Sequence, residues 1–214
     1  HEDLDTSKID INLLAKQLKN LGISKILLHG HGETTIVDGW EDYANELINL
    51  GFRLTICTNM AKNFTDKEID TLSKFSSITV SIDTLDKKLF NILRKGGDIN
   101  KIMSNIDKVR SKNNKIIWVW STVVVKETIS GLHDLIREGL LQDVRIFSLC
   151  NFTRLNGVNL THLSDLSPEE AYEALLEIEK LQIFVKSCGK ILDPKAGLLE
   201  TLREKCQKLT YHQQ

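Results

Sequence analysis

The chain has 214 residues, 41% of them hydrophobic and 27% charged, and its formal net charge is -1. This composition is typical of a folded globular protein with one large core. A net charge so close to zero gives no broad attraction for nucleic acid or an anionic membrane, and no apolar run approaches the roughly 20 residues that span a bilayer. We therefore predict neither a nucleic-acid partner nor a membrane partner.

The four cysteines form no Cys-x-x-Cys pair and lie far apart, at Cys57, Cys150, Cys188 and Cys206. A chain of this length does not need disulfides, so we interpret them as reduced thiols in a cytoplasmic protein. The first residues, HEDLDTSKID, lack the layout of a signal peptide. Because the chain begins at His1 without methionine, we expect a preceding segment that carries further motifs.

Helical and strand-like patterns alternate along the chain, starting with a helical stripe between residues 11 and 21. Five short runs rich in apolar and β-branched residues then predict strands, and a helical pattern follows each. The predicted strands span residues 25–28, 52–57, 78–82, 116–125 and 144–149. Thr65 and Glu68 form a capping box at the start of the helix after the second strand.

The C-terminal part of the chain is mostly two helical patterns. Ser167, Pro168 and Glu170 form a strong helix start, and a last apolar stripe runs from about residue 195 to residue 209. We therefore divide the chain into a core, residues 1–150, and a C-terminal helical extension, residues 151–214, packed on that core.

The alternation of strands and helices predicts an α/β fold with parallel strands covered by helices. A barrel and a doubly wound sheet would both produce this pattern. In either fold the functional groups lie at the carboxyl ends of the strands. The polar groups at these ends are His29 to Glu33, Thr58 and Asn59, Ser81 and Asp83, Ser121 and Thr122, and Ser148 to Cys150.

Gly32 and Glu33 suit the recognition of an ammonium group. A glycine lets the backbone approach a ligand closely, and a carboxylate beside exposed carbonyls attracts a positive charge. Ser81 and an arginine such as Arg94 would suit a carboxylate. Together these groups predict an amino-acid-like ligand.

Three segments resemble the radical S-adenosylmethionine (SAM) enzymes. ILLHGHGETT is similar to their Gly-Gly-Glu-Pro region, and LTICTNM is similar to the next strand, which often ends in Thr-Asn-Gly. ITVSIDTLDKKLFNILRKGGDINKIMSNID resembles the following unit, with a Ser-x-Asp strand end and then arginine and glycine before a helix. The segments occur in the family's order and spacing, and they look most like the branch of peptide-modifying maturases and molybdopterin-precursor cyclases.

The resemblance implies a partial (β/α)6 TIM-like barrel whose first strand and Cys-x3-Cys-x2-Cys cluster loop lie upstream of His1. Those thiolates would hold a [4Fe-4S] cluster, and SAM would bind its remaining iron. Reductive cleavage of SAM would give a 5′-deoxyadenosyl radical that abstracts hydrogen from a substrate. An electron donor such as flavodoxin or ferredoxin would supply the electron, and a peptide or small molecule would be the substrate.

The resemblance also implies ligand roles for individual residues. Gly32 and Glu33 would meet the SAM amino group, Ser81 and Arg94 its carboxylate, Thr58 or Asn59 and Ser121 its ribose, and the region of Phe147 to Leu149 its adenine. The chain departs from the family pattern at three positions. His31 replaces the first motif glycine, Thr34 replaces the proline, and Met60 stands where glycine is usual.

Two other functions remain open. A cluster-less relative of these barrels would bind a ligand or a protein, and a metal-dependent hydrolase would use His29 and His31. The hydrolase needs more histidines at later strand ends, and the sequence places His133 in a helix, His162 in a loop and His212 at the tail. We therefore favour His31 as a turn residue and His29 as a buried, hydrogen-bonded histidine. The alternative for Glu33 is a structural role, in which it caps the following helix or pairs with a lysine. Cys150 is the one cysteine expected near the pocket.

Overall fold

The computed structural model describes residues 10–30, 32–152 and 160–211. Within these residues six strands and nine α-helices alternate along the chain. The strands are β1 (Lys25–Leu28), β2 (Arg53–Thr58), β3 (Ser77–Ser81), β4 (Ile117–Val124), β5 (Ile146–Asn151) and β6 (Ile191–Pro194). The helices are α1 (Ile11–Asn20), α2 (Trp40–Asn49), α3 (Asp66–Leu72), α4 (Lys87–Leu93), α5 (Ile99–Lys112), α6 (Lys126–Ile129), α7 (Leu132–Leu141), α8 (Pro168–Ser187) and α9 (Ala196–Tyr211). Short 3-10 turns lie at Thr34–Ile36 and Leu163–Asp165.

The six strands form one parallel sheet in the order β1-β2-β3-β4-β5-β6. A doubly wound sheet would reverse this order at a switch point. The order here never reverses, so every connection advances in the same direction, as it does in a barrel. The predicted partial TIM-like barrel is therefore confirmed. The further strand expected upstream of His1 stays a prediction.

The helix starts follow the capping signals in the sequence. The Thr65 hydroxyl accepts a hydrogen bond from the Glu68 amide, and the Glu68 carboxylate accepts one from the Thr65 amide at 2.8 Å. Ser167 and Glu170 make the same pair of bonds at α8, with Pro168 at the first helical position. These bonds satisfy amide groups that have no partner inside the helix.

One face of the sheet packs against the helices and forms the core. Trp118 and Trp120, two residues apart on β4, are both buried on this face. The Arg110 guanidinium of α5 lies 5.6 Å from the Trp118 ring, and Phe147 makes an edge-to-face contact with Trp120. Residues of alternate parity therefore lie on the opposite, inner face of the barrel, where Ser81, Val119 and Ser121 are only half-buried.

The strand β6 was missed by the sequence analysis. It has four residues, ends in Pro194 and pairs with β5 in parallel, with Ser148 opposite Asp193. So short a run carries little periodicity, and Ile191 on it is exposed. The division of the chain at residue 150 stays a prediction, although the same sheet continues past it. In the described residues, no helix is both long enough and apolar enough to cross a bilayer.

Candidate functional site

A row of polar side chains crosses the inner face of the barrel near the carboxyl ends of the strands. Ser81 of β3 is in register with Ser121 of β4, Ser121 with Ser148 of β5, and Ser148 with Asp193 of β6. Side chains in one register row of a parallel sheet lie on the same face. Ser81 and Ser121, which the sequence analysis selected, are therefore neighbours. Asp193 was missed because β6 was missed.

Glu33 links the loop after β1 to the loop after β2. Its Oε1 accepts hydrogen bonds from the Thr35 amide at 3.2 Å and the Thr35 hydroxyl at 2.8 Å, and its Oε2 accepts one from the Asn59 amide at 2.7 Å. Glu33 thus caps the 3-10 turn at Thr34–Ile36, which agrees with the alternative prediction that Glu33 caps the following helix. A carboxylate has about four acceptor sites, so one site on Oε2 is left for a ligand. Gly32 has a φ of 113°, which favours glycine.

The turn after β2 is fixed by backbone and side-chain bonds. Thr58 Oγ1 accepts from the Met60 amide at 3.1 Å, and Asn59 Oδ1 accepts from the Ala61 amide at 2.8 Å. Met60 has a φ of 53°, in the left-handed region that glycine adopts most easily. This backbone conformation explains why glycine is usual at this position in the family. The buried Asn105 amide of α5 donates to the Met60 carbonyl at 2.9 Å.

Arg94 forms a two-bond ion pair with Asp83. Arg94 Nε donates to Asp83 Oδ2 at 2.6 Å and Nη2 donates to Oδ1 at 3.1 Å, while the Val123 amide also donates to Asp83. Burial opposes the charge on Arg94, yet the Asp83 carboxylate raises the pKa of Arg94 above its ordinary value. A guanidinium has five N–H donors, so three remain for a ligand beside this pair.

A pocket of about 210 Å³ brings several of the predicted residues together. Asn59, Ser81 and Arg94 all line it, with the Gly96–Gly97 loop on one side. Two polar groups and a guanidinium in one pocket can recognise a carboxylate. Glu33 does not line the pocket, but its carboxylate accepts a hydrogen bond from the amide of Asn59, which does. The amino-acid-like ligand inferred from the sequence stays a prediction.

Cys150 lies on the inner face but does not line the pocket, so a role for it in ligand binding stays a prediction. Its sulfur is 3.8 Å from both the Ser121 and the Ser148 hydroxyl. Cys57 is half-buried, and burial, then the Glu33 carboxylate, raises the pKa of its thiol. Cys57 and Cys150 thus add two thiols to the hydroxyls of Ser121 and Ser148 on the inner face.

Five of the eight predicted ligand residues do not line the pocket, and two of these five, Thr58 and Leu149, point away from the inner face. The Thr58 side chain is buried on the helix-facing side of β2, and the Leu149 side chain is buried on the same side of β5. Neither side chain lies among the residues that line the pocket. Their ligand roles stay predictions, and in this structure only their backbone atoms could contact a ligand in the pocket.

The histidines fit the sequence interpretation only in part. His29 is exposed, so the prediction of a buried histidine is wrong: the strand ends at Leu28 and His29 already lies in the loop. His31 lies outside the described residues. Within the residues that the structure describes, no group of three or more histidines, cysteines or carboxylates could hold a metal ion.

Asp83 and Asn105 are site residues that the sequence analysis did not assign. The Ser-x-Asp strand end singled out Asp83, but its partner is 11 residues away, across α4. Asn105 gave a weaker signal, namely an amide at a buried position of the apolar stripe of α5. A buried amide in such a stripe needs hydrogen-bond partners, and it finds them on the turn after β2.

Solved structures with the same fold include SuiB of Streptococcus suis. The chain superposes on SuiB with a TM-score of 0.66 at 17% identity, covering 86% of this chain and 41% of SuiB. SuiB bound to precursor peptide SuiA gives 0.67 at 16%, covering 91% and 43%. The enzyme anSMEcpe, with bound AdoMet and a Kp18Cys peptide, gives 0.63 at 13%, covering 86% and 54%. The chain thus spans about half or less of these proteins, and the likeness shows the fold.

No curated protein matches the sequence. A profile of the radical SAM superfamily matches residues 5–139, which is more than half of the chain. The match covers every strand from β1 to β4 and the loops that carry Glu33, Asn59, Ser81 and Arg94. The superfamily predicted from three short segments is confirmed: this chain belongs to the radical SAM superfamily.

Proposed function

We propose that the full-length protein is a radical SAM enzyme that cleaves SAM reductively and abstracts a hydrogen atom from a substrate. One observation carries the proposal. In a member of this superfamily, Asn59, Ser81 and Arg94 line one pocket, and Glu33 accepts a hydrogen bond from the Asn59 amide.

The residues of the pocket fit the polar end of SAM. The free acceptor site of Glu33 and the backbone at Gly32 would receive the amino group. The remaining donors of Arg94 and the Ser81 hydroxyl would hold the carboxylate. Asn59 and Ser121 would lie toward the ribose. Asp83 would keep the guanidinium in position, because it already holds two of its donors.

The iron-sulfur cluster would be held by cysteines outside this chain. Bound to a reduced [4Fe-4S] cluster, SAM supplies a 5′-deoxyadenosyl radical for hydrogen abstraction. The described residues do not contain a ligand set for the cluster. Following the resemblance to the family, our proposal places the three cysteines and the first strand of the barrel in a segment upstream of His1.

The edge of the sheet at β1 would accept that strand. Among the described residues β1 pairs with β2 alone, and Leu27 on it is 58% exposed. An apolar groove of about 250 Å³ lies beside it, lined by residues of β1, α1 and α2, among them Leu14, Leu28 and Tyr43. A strand edge and an apolar groove that face solvent favour association with another segment.

A peptide is the substrate class that we propose. SuiB and anSMEcpe are both described in complex with a peptide, and they share this fold. Of the inner row, the half-buried Ser121 hydroxyl would face the polar backbone of such a substrate, whereas Ser148 is buried and Asp193 is paired with Lys195. Flavodoxin or ferredoxin would be the electron donor, and unpaired thiols suit the reducing cytoplasm where such donors work.

Anaerobic reconstitution of the full-length protein with iron and sulfide tests the proposal. We expect iron-sulfur absorption, and release of 5′-deoxyadenosine when SAM and a reductant are added. Arg94→Leu should weaken SAM binding. Arg53→Leu is the control and should not, because Arg53 begins β2 at the end of the strand away from the pocket. A full-length protein that incorporates iron but neither binds nor cleaves SAM would contradict the proposal, and one that binds no iron would favour the cluster-less alternative.

A further inference from the structure

A partly buried ion pair between Lys62, on the turn after β2, and Glu68 of α3 lies beside the loop that carries Glu33. The Lys62 ammonium donates a hydrogen bond to the Glu68 carboxylate and another, at 2.7 Å, to the Thr35 carbonyl. Thr35 is the residue whose amide and hydroxyl both donate to Glu33. Lys62 therefore binds the carbonyl group of Thr35, while the amide and hydroxyl groups of the same residue bind the Glu33 carboxylate.

Glu68 is fixed on every side. Its Oε1 also accepts a hydrogen bond from the Trp40 indole at 3.0 Å, and its Oε2 accepts from the Thr65 amide at 2.8 Å and from the Thr65 hydroxyl at 3.1 Å. The Glu68 side chain is 7% exposed and the Lys62 side chain 30% exposed. A charge-assisted hydrogen bond is strong where water has little access. Because the Glu68 carboxylate is held in place, it also restricts the Lys62 ammonium to the position where it binds the Thr35 carbonyl.

The backbone of Lys62 is held as firmly as its side chain. The Asn105 side-chain amide donates to the Lys62 carbonyl at 3.0 Å and to the Met60 carbonyl at 2.9 Å. Asn59, on the same turn, donates its amide to Glu33. The turn after β2 therefore makes two hydrogen bonds to the Glu33 loop, one from the Asn59 amide to Glu33 and one from the Lys62 ammonium to the Thr35 carbonyl.

We infer that Lys62 is a positioning residue for the ammonium-binding loop, with Glu68 fixing its charge. Lys62 makes no contact with the pocket and acts through Thr35 on the orientation of Glu33. The ligand it serves, a SAM amino group, rests on the proposed function. The positioning itself is a property of this chain and can be measured without SAM.

Amide hydrogen exchange tests the positioning in the full-length protein. Lys62→Met should raise the exchange rates of the Thr35 and Asn59 amides about fivefold, because both donate to Glu33, while the Val123 amide, bonded to Asp83, should stay unchanged. Lys67→Met is the matched control. It also removes a lysine ion pair, the one between Lys67 of α3 and Asp42 of α2, but Lys67 makes no hydrogen bond to Thr35. Unchanged exchange at Thr35 and Asn59 in Lys62→Met would overturn the inference.

SAM affinity separates positioning from a loss of stability. Lys62→Met leaves a buried carboxylate unpaired, and the double variant Lys62→Met/Glu68→Gln removes that penalty but not the loss at Thr35. We expect SAM to bind about tenfold more weakly to both variants, although only the single one is strongly destabilised. Recovery of SAM affinity together with stability in the double variant would overturn the inference. If the parent protein binds no SAM, the proposed function fails, and the exchange data still decide the positioning.

Discussion

At the scale of single residues, the charged groups of the site also serve the fold. Glu33 caps a turn and bridges two loops, and Arg94 is held by Asp83 before any ligand is present. A carboxylate or guanidinium with little access to water needs such partners. Substitution of these residues therefore changes stability as well as ligand binding, and only partner variants can separate the two effects.

Asp83→Asn should destabilise the protein because it leaves Arg94 without its partner charge. The Asp83 side chain is 1% exposed and that of Arg94 33% exposed. Breaking a fully buried pair costs about 3–5 kcal/mol, so we expect a loss near 2 kcal/mol for this partly exposed pair, measured by urea unfolding. Asp70→Asn, which breaks the exposed pair with Lys112, should have little effect. Equal losses in the two variants would refute the role assigned to Asp83.

The contribution of Glu68 to stability should depend on pH. Burial opposes its charge, but hydrogen bonds from Lys62, Thr65 and Trp40 lower its pKa below the ordinary value of 4.5. A carboxyl group with a lowered pKa stabilises the fold fully above its unfolded pKa, and this stabilisation is lost as the pH falls through the folded pKa. The difference in unfolding free energy between the parent and Glu68→Gln should therefore shrink as the pH falls below 4.5. A difference that stays constant would contradict this expectation.

Residue patterns predicted the chemistry of the site better than its geometry. Gly32, Glu33, Ser81 and Arg94 were selected because each follows a strand or matches a motif, and of these Ser81 and Arg94 line the pocket. The bond between Glu33 and the Asn59 amide, and that between Asp83 and Arg94, could not be predicted, because both depend on how neighbouring loops close over the sheet. Met60 was noticed as a departure from glycine, but its positive φ became visible only in the structure.

At the scale of helices and strands, local signals predicted most of the fold. Capping residues gave the starts of α3 and α8, and apolar runs gave five of the six strands to within two residues. These signals are local in sequence, so they can be recognised without knowing the tertiary structure. β6 is stabilised by its pairing with β5 rather than by its own composition, so it left too little pattern to be found.

Gly139 of α7 should not tolerate alanine, although alanine is the better helix former. A Cβ atom at Gly139 would lie 2.3 Å from the Phe147 ring and 3.1 Å from the Trp120 ring. The gain in helix propensity is about 1 kcal/mol, whereas overpacking a core costs about 1–3 kcal/mol. Because both rings are buried and in contact, we expect Gly139→Ala to lower the unfolding free energy by about 1–2 kcal/mol in urea.

Gly131 provides the control for that substitution. It precedes α7, and a Cβ atom there would make only ordinary contacts, 3.6 Å from the Thr128 carbonyl and 3.9 Å from the Thr84 hydroxyl. Gly131→Ala should therefore leave stability nearly unchanged. If Gly139→Ala proves as stable as the parent, α7 does not pack against β5 as tightly as the distances indicate.

At the scale of the whole molecule, one sheet joins the two parts into which the sequence was divided. Residues Ile146 to Leu149 of β5 pair with Ile191 to Pro194 of β6, and the Lys195 amide donates to the Leu149 carbonyl at 2.9 Å. The Asn151 side chain then donates to the Gly197 carbonyl at the start of α9. The C-terminal part therefore completes the sheet, rather than only covering it.

A chain that ends at Asn151 should therefore lose its cooperative fold. The cut leaves β5 as an unpaired edge, because β6 is its partner on that side, and it uncovers the apolar surface that α8 and α9 protect. We expect increased binding of a hydrophobic dye and a broadened urea transition. A chain that ends at Tyr211 retains every described strand and helix and should unfold like the parent. If the chain ending at Asn151 unfolds in one sharp transition at the parent's midpoint, residues 1–150 form an independent core, and β6 is an addition that this core does not need.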